Sequence, residues 1–170
     1  HPNVIRLHGI CTDVPQPFLV MALAESSLHD SLPSRESSRL LDARLLGGIA
    51  RGMAALHAHD ILHLDLKPQN VLLSVDGAPW ITDFGLSTAW GASGSVSQAG
   101  GRGTLAYKAP ELFIFSGDTK PTNAVDVYAF AVLAWQVITR QEPWTGIPES
   151  MIPDGLKNGK RPPDATDGLD

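Results

Sequence analysis

Apolar and polar positions sort this chain into short extended runs near its start and two long helical runs further on. VIRLHGI and FLVMAL are β-prone segments separated by CTDVPQP, whose two prolines exclude a helix, so the pattern predicts a pair of strands. AESSLHDSLPSRESS is polar and Ser-rich, and predicts a linker with a short helix near Ser27 to Leu32. From Asp42 to about Ala58, the residues Leu45, Leu46, Ile49, Met53 and Leu56 recur at helical spacing. This predicts a long amphipathic helix, with Asp42 set to complement the unpaired N–H groups at its start.

In VLLSVDGAPWI two apolar runs flank an Asp-Gly turn signal, which predicts a hairpin. GASGSVSQAGGRG is too rich in Gly and Ser to hold regular structure. AVDVYAFAVLAWQVIT is apolar on nearly every side, the pattern of a helix buried at the centre of a domain. The Pro- and Gly-rich stretch after it leaves room for one short helix.

Composition narrows the class without altering that layout. At 170 residues with 43% hydrophobic content the chain fits one domain with a buried core. The net charge of -5 and the scattered Lys and Arg argue against a nucleic-acid partner, since phosphate backbones demand clustered cations. The longest apolar run, VYAFAVLAW, is shorter than the roughly 20 residues a spanning helix needs. Cys11 has no second cysteine to pair with and suits a reducing, cytoplasmic setting. The chain opens at His1 without an initiator Met and reads as a fragment.

The stretch HLDLKPQN, His63 to Asn70, concentrates the chemistry. Phosphoryl transfer needs a carboxylate near the attacking hydroxyl, a cation on the moving group, and oxygen ligands for Mg²⁺. Asp65, Lys67, Asn70 and Asp83 form such a set: Asp65 and Lys67 alternate along one short extended loop, and the hairpin from Val71 to Ile81 returns the chain toward Asn70. Taken alone, Asp65 would be an ordinary surface carboxylate; the register of the other three changes that. A metal-dependent hydrolase built on Asp65 and Asp83 is a competing use of the same groups. His57, His59 and His63 cross a helix end and complete no zinc pattern. The glycines from Gly91 to Gly103 lack the G-x-x-x-x-G-K-[ST] spacing of a phosphate cradle.

HLDLKPQN, DFG at Asp83 to Gly85 and APE at Ala109 to Glu111 occur in an order that resembles eukaryotic protein kinases, where they are the catalytic loop and the two ends of the activation segment. The resemblance runs from HPN to GKRP. It implies an α+β, protein-kinase-like fold, mostly the helical C-lobe with a two-strand remnant of the N-lobe: remnant 1–21, hinge 22–26 and C-lobe 27–170 without its last helices. Carried over by position, Asp65 is the catalytic base, Lys67 the γ-phosphate lysine, Asn70 and Asp83 the metal ligands, and Thr104 the residue bonded to the catalytic Asp and Lys. Met21 falls at the gatekeeper, Ala22 to Ala24 at the adenine-binding hinge, and Leu72 under the adenine ring. His63 and Phe84, with Leu7 above them, match an apolar stack between lobes. Asp126 matches the carboxylate that holds the catalytic-loop backbone, and Glu111 the APE glutamate, whose usual Arg partner lies beyond this chain.

The implied function is transfer of the ATP γ-phosphoryl group to Ser/Thr hydroxyls of a protein substrate, with Mg²⁺ (Mn²⁺ as the alternative). DLKPQN resembles Ser/Thr enzymes, and HPNVIRLHGIC with DVYAFAVLAWQVIT leans toward the tyrosine-kinase-like branch. The Gly-rich loop, the strand lysine and its glutamate partner have no counterpart in these residues. The fragment by itself is therefore expected to be weakly active or inactive, and a pseudokinase or scaffold is the alternative. Leu64 replaces an Arg that in many kinases reads activation-loop phosphate, and Lys108 stands where a larger apolar residue is usual. Ser87, Thr88, Ser93, Ser95 and Ser97 lie in the expected flexible loop as candidate phosphorylation positions.

Overall fold

The structure is a computed structural model that describes residues 1–36, 38–83, 88–89, 104–114 and 120–162, with 88–89 and 114 described by their backbone. Strands β1 (Leu7–Cys11) and β2 (Phe18–Met21) pair antiparallel, with Leu7 opposite Met21 and Cys11 opposite Phe18. The first strand is shorter than the apolar run predicted. Residues 3–5 pair elsewhere: Ile81 N–H donates to Asn3 O at 3.0 Å and Ile5 N–H donates to Ile81 O at 2.9 Å. That parallel attachment, bridging Val4 and Ile81, diverts the chain before it reaches β1.

The predicted short helix is α1 (Leu28–Ser31), where Ser27 Oγ accepts the Asp30 N–H and Leu28 is fully buried. The predicted long helix is α2 (Arg39–His57), and Leu45, Ile49, Met53 and Leu56 form its buried face as the spacing requires. It begins at Arg39, ahead of the first apolar repeat. Asp42 lies in its first turn as expected and has a further partner: it is buried, and its Oδ1 accepts from Arg140 Nη2 at 2.9 Å. A guanidinium offers a buried carboxylate a stronger bond than an exposed helix end does.

After α2 the two-residue strand β4 (Ile61–Leu62) leads to the catalytic-loop stretch, a 3-10 turn at Pro68–Asn70, and the predicted hairpin of β5 (Val71–Leu73) and β6 (Pro79–Ile81). Val71 faces Ile81, and Gly77 at φ 77 makes the turn. The free edge of β5 carries β3 (Ser26–Ser27), and β4 pairs with β7 (Thr88–Ala89). Thr88 thus lies in a strand, whereas Ser87, Ser93, Ser95 and Ser97 of the expected flexible loop, and Phe84 of the expected apolar stack, fall outside the described residues.

Two glycines let α2 lie against β6. A Cβ at Gly52 would come 2.5 Å from Asn3 O and 2.7 Å from Ile81 Cδ1, and one at Gly48 would meet Pro79 Cγ at 2.5 Å. Helix α3 (Glu111–Ile114) precedes α4 (Ala124–Thr139), and α5 (Ile152–Lys157) follows. The bounds of α4 are those the apolar run predicted, but its burial is one-sided: Val125, Ala129, Val132, Leu133 and Val137 are buried, while Val127 is 58% and Ile138 42% exposed. Its packed side meets α2 and the 3-10 turn at Leu105–Tyr107, and its apolar outer flank has no cover among the described residues. Trp144 packs with Ile152 and Leu156 and donates from Nε1 to Ala106 O. The α+β class holds. No helix among the described residues is long and apolar enough to cross a membrane.

Candidate active site

The catalytic-loop stretch is suspended from α4. Asp126, buried in the first turn of that helix, accepts the His63 N–H on Oδ2 and the Leu64 N–H on Oδ1, both at 2.9 Å. His57 Nε2, at the end of α2, donates to the same Oδ2 at 2.9 Å. The His63 ring is fully buried and donates from Nε2 to Thr82 O at 2.9 Å, and the Asp65 N–H donates to its Nδ1. Leu66 is fully buried, and Pro68 opens the turn to Asn70, whose N–H donates to Lys67 O at 2.9 Å. Burial of Leu66 aims its two neighbours, Asp65 and Lys67, to one side.

There they meet. Lys67 Nζ lies 2.8 Å from Asp65 Oδ2 and donates to Thr104 Oγ1 at 2.7 Å. Thr104 N–H donates to Asp65 Oδ1 at 3.0 Å, so Thr104 reaches the Asp through its backbone and the Lys through its hydroxyl. Asn70 Nδ2 donates to Asp65 O at 2.8 Å and to Asp65 Oδ2 at 3.0 Å. Both bonds use the amide nitrogen, so Oδ1 is the side-chain atom of Asn70 that could serve as a ligand. Thr82 N–H donates to Asn70 O at 3.0 Å, which brings Asp83 to the same end of the hairpin, with φ 61 at its backbone. An amide oxygen and a carboxylate are hard donors that fit Mg²⁺, which keeps waters and substrate phosphates as its other ligands. Among the described residues no three His, Cys, Asp or Glu side chains form a metal cluster, and His59 Nδ1 donates to Ala55 O within its own helix end.

On the other side of the hairpin, Ala22 N–H donates to Arg6 O at 3.0 Å and Glu25 N–H to Leu73 O at 2.9 Å. The second bond ties the chain just after Ala24 to β5, where Leu72 is half-buried opposite Trp80. Met21 is exposed on β2, and so is Leu7 on β1. Glu111 opens α3, where its negative charge helps to raise the Tyr128 hydroxyl pKa; burial is the larger cause.

The family described as "Protein kinase domain" matches residues 1–158. The chain belongs to the protein kinase family. The kinase domain is 39% identical to receptor-interacting serine/threonine-protein kinase 3 of Rattus norvegicus over 98% of this chain and 37% of that protein. It is 35% identical to mitogen-activated protein kinase kinase kinase 13-A of Xenopus laevis over 89% of this chain and 16% of that protein. It is also 35% identical to mitogen-activated protein kinase kinase kinase 7 of Drosophila melanogaster over 96% of this chain and 24% of that protein. These relatives are Ser/Thr kinases of the tyrosine-kinase-like branch, the branch that the sequence resembles. The chain thus spans well under half the length of each.

Three features of the kinase domain were not legible as site residues. His57 drew notice only as a metal candidate, yet it shares the Asp126 carboxylate. Lys108 is 4% exposed; burial lowers its pKa, and the nearby Asp65 charge partly offsets this. Tyr107 OH donates to Gln136 Oε1 at 2.5 Å, and Gln136 Nε2 donates to Glu142 Oε1 at 2.9 Å. Burial, then the Glu142 charge, pushes the Tyr107 pKa well up, and the hydrogen-bonded Gln136 side chain acts the other way. The one signal for the last group was a Gln inside an otherwise apolar helix.

Proposed function

We propose that this protein kinase domain transfers the γ-phosphoryl group of ATP to Ser or Thr hydroxyls of protein substrates in a cytoplasmic setting. Residues 1–21 act as the N-lobe part, 22–26 as the hinge and 27–170 as the C-lobe. The observation that carries the reading is the closed contact among Asp65, Lys67 and Thr104.

An acceptor hydroxyl bonded to Asp65 gives it the proton as oxygen attacks the γ-phosphorus, and the bond from that phosphorus to the bridging oxygen of ADP breaks. Lys67, 2.8 Å from Asp65, opposes the negative charge of the moving group. Asn70 and Asp83 would hold Mg²⁺, or Mn²⁺, which supplies charge neutralisation on the phosphates. Ala22 has its N–H bonded to Arg6, which leaves its carbonyl for adenine; Ala24 adds backbone groups, Met21 lines the back of the pocket, and Leu72 lies beneath the ring. His63, Phe84, Glu111 and Asp126 serve as supports.

The test uses full-length protein with γ-labelled ATP, Mg²⁺ and a mixed protein substrate. Label should appear on Ser and Thr, and Asp65→Asn should lower the rate by about 10²–10⁴-fold. Equal rates in the two proteins would remove Asp65 from the mechanism, and label confined to Tyr would overturn the substrate class.

A further inference from the structure

Leu64 sits between two residues of the site with φ 67, a left-handed conformation that bulky side chains rarely adopt. Such a residue persists only where its surroundings over-determine it. One constraint is the backbone bond from Leu64 N–H to Asp126 Oδ1. The other is its side chain, which packs on a small apolar cluster of Ala109, Leu112 and Val125 together with Tyr128, separate from the main core.

That cluster joins three parts of the molecule. Ala109 and Leu112 belong to the segment 104–114, Val125 and Tyr128 belong to α4, and Leu64 is the catalytic loop's member of it. The segment already meets the loop at its near end, where Thr104 bonds Asp65 and Lys67. The middle of the segment is held from other sides, by Gln136 on the Tyr107 hydroxyl and by Trp144 on Ala106 O; Leu64 adds an attachment to the catalytic loop itself, five to eight residues beyond Thr104. The anchor is apolar at both sides, so it requires no charge and no modification to engage. Asn70, Asp83, Ala22, Ala24 and Leu72 lie outside 104–114, and Thr104, at the end of the segment away from the Leu64 contact, is its link to Lys67 and Asp65.

We propose that Leu64 is a positioning residue, an apolar anchor that holds segment 104–114 against the catalytic loop and thereby sets the protein-substrate side of the site. This rests on the kinase reading above. The left-handed backbone at Leu64 goes together with the packing of its side chain on Ala109 and Leu112.

The test compares Leu64→Ala, Leu64→Met and Leu64→Arg with wild type in the full-length protein, by steady-state phosphorylation of a protein substrate. Leu64→Ala should lower kcat/KM for the protein substrate by about 10–10²-fold. Its KM for ATP should stay within about twofold. Leu64→Met, of similar volume, should recover most of the loss, and Leu64→Arg, which puts a charge among apolar side chains, should fall at least as far as Ala. Unchanged kcat/KM in Leu64→Ala overturns the proposal, as does an equal rise in both KM values. If wild type and Asp65→Asn are equally inactive, the kinase reading fails by itself and hydrogen exchange decides the anchor. In Leu64→Ala the amides of Leu112 and Phe113, bonded to Ala109 O and Pro110 O, should exchange about tenfold faster while those of α2 keep their protection. Unaltered exchange at both would sink it.

Discussion

Residues 63–70 and the β1–β2 pair are both short, mostly extended stretches of one chain, and they are held in opposite ways. The first is fastened by residues from elsewhere in the sequence: Asp126 takes two of its N–H groups, Thr82 O takes the His63 ring, and Thr104 closes on Asp65 and Lys67. The second is fastened by its own ladder, while Leu7, Ile10, Phe18 and Leu19 are 55%, 64%, 52% and 53% exposed. A lone two-stranded ribbon is marginal in water. The geometry of the candidate site is therefore specified where regular structure is absent, and regular structure can exist with little to specify its place. The boundary falls between Ile5, buried and bonded to β6, and Leu7.

The largest test of this contrast removes the suspension point. Asp126→Ala leaves the His63 and Leu64 N–H groups and His57 without their acceptor, and should cost about 3–5 kcal/mol in denaturant unfolding, with activity lost as well. A loss below about 1 kcal/mol would mean the loop is held by something else. Gly52→Ala probes the attachment of residues 3–5. Its Cβ would meet the backbone oxygen of Asn3 at 2.5 Å, and the cost should reach the upper end of about 1–3 kcal/mol.

Tyr107→Phe, which strips one buried bond from the segment beside the loop, should cost about 1–2 kcal/mol at neutral pH. Because the folded protein holds the Tyr107 pKa above its ordinary value of 10.0, that group's contribution is intact below pH 10.0 and declines as pH rises past it. Thermal melts should accordingly show wild type losing stability faster than Tyr107→Phe above pH 10.0. Parallel curves would contradict the assignment. The smallest effect belongs to the ribbon: Ile10→Lys should change stability by less than about 0.5 kcal/mol and reduce aggregation in light scattering. A large destabilisation there would show that β1 is covered after all.

Periodicity made the helices legible. Leu45, Ile49, Met53 and Leu56 announce α2, and the apolar run 124–139 announces α4, because burying a helix face imposes its repeat on the sequence. Burial around α4 was overread, since an apolar run reports what could be buried and not which neighbours arrive; Val127 and Ile138 face outward. Asp42 was legible only in part: a carboxylate in a first turn matches the helix dipole, but its guanidinium partner lies 98 residues away.

The spacing of Asp65, Lys67 and Asn70, and the order of HLDLKPQN, DFG and APE, are properties of the chain itself. They determined the family and which side chains share one loop, because a short loop with Leu66 buried leaves its neighbours little choice of side. Tertiary structure alone decided that Leu64 sits in a left-handed turn against Ala109 and Leu112, that His57 shares Asp126, and that Lys108 is buried near Asp65. Those contacts join residues dozens of positions apart, and their energies depend on burial and on distances of a few ångströms. No local pattern in a sequence carries either quantity.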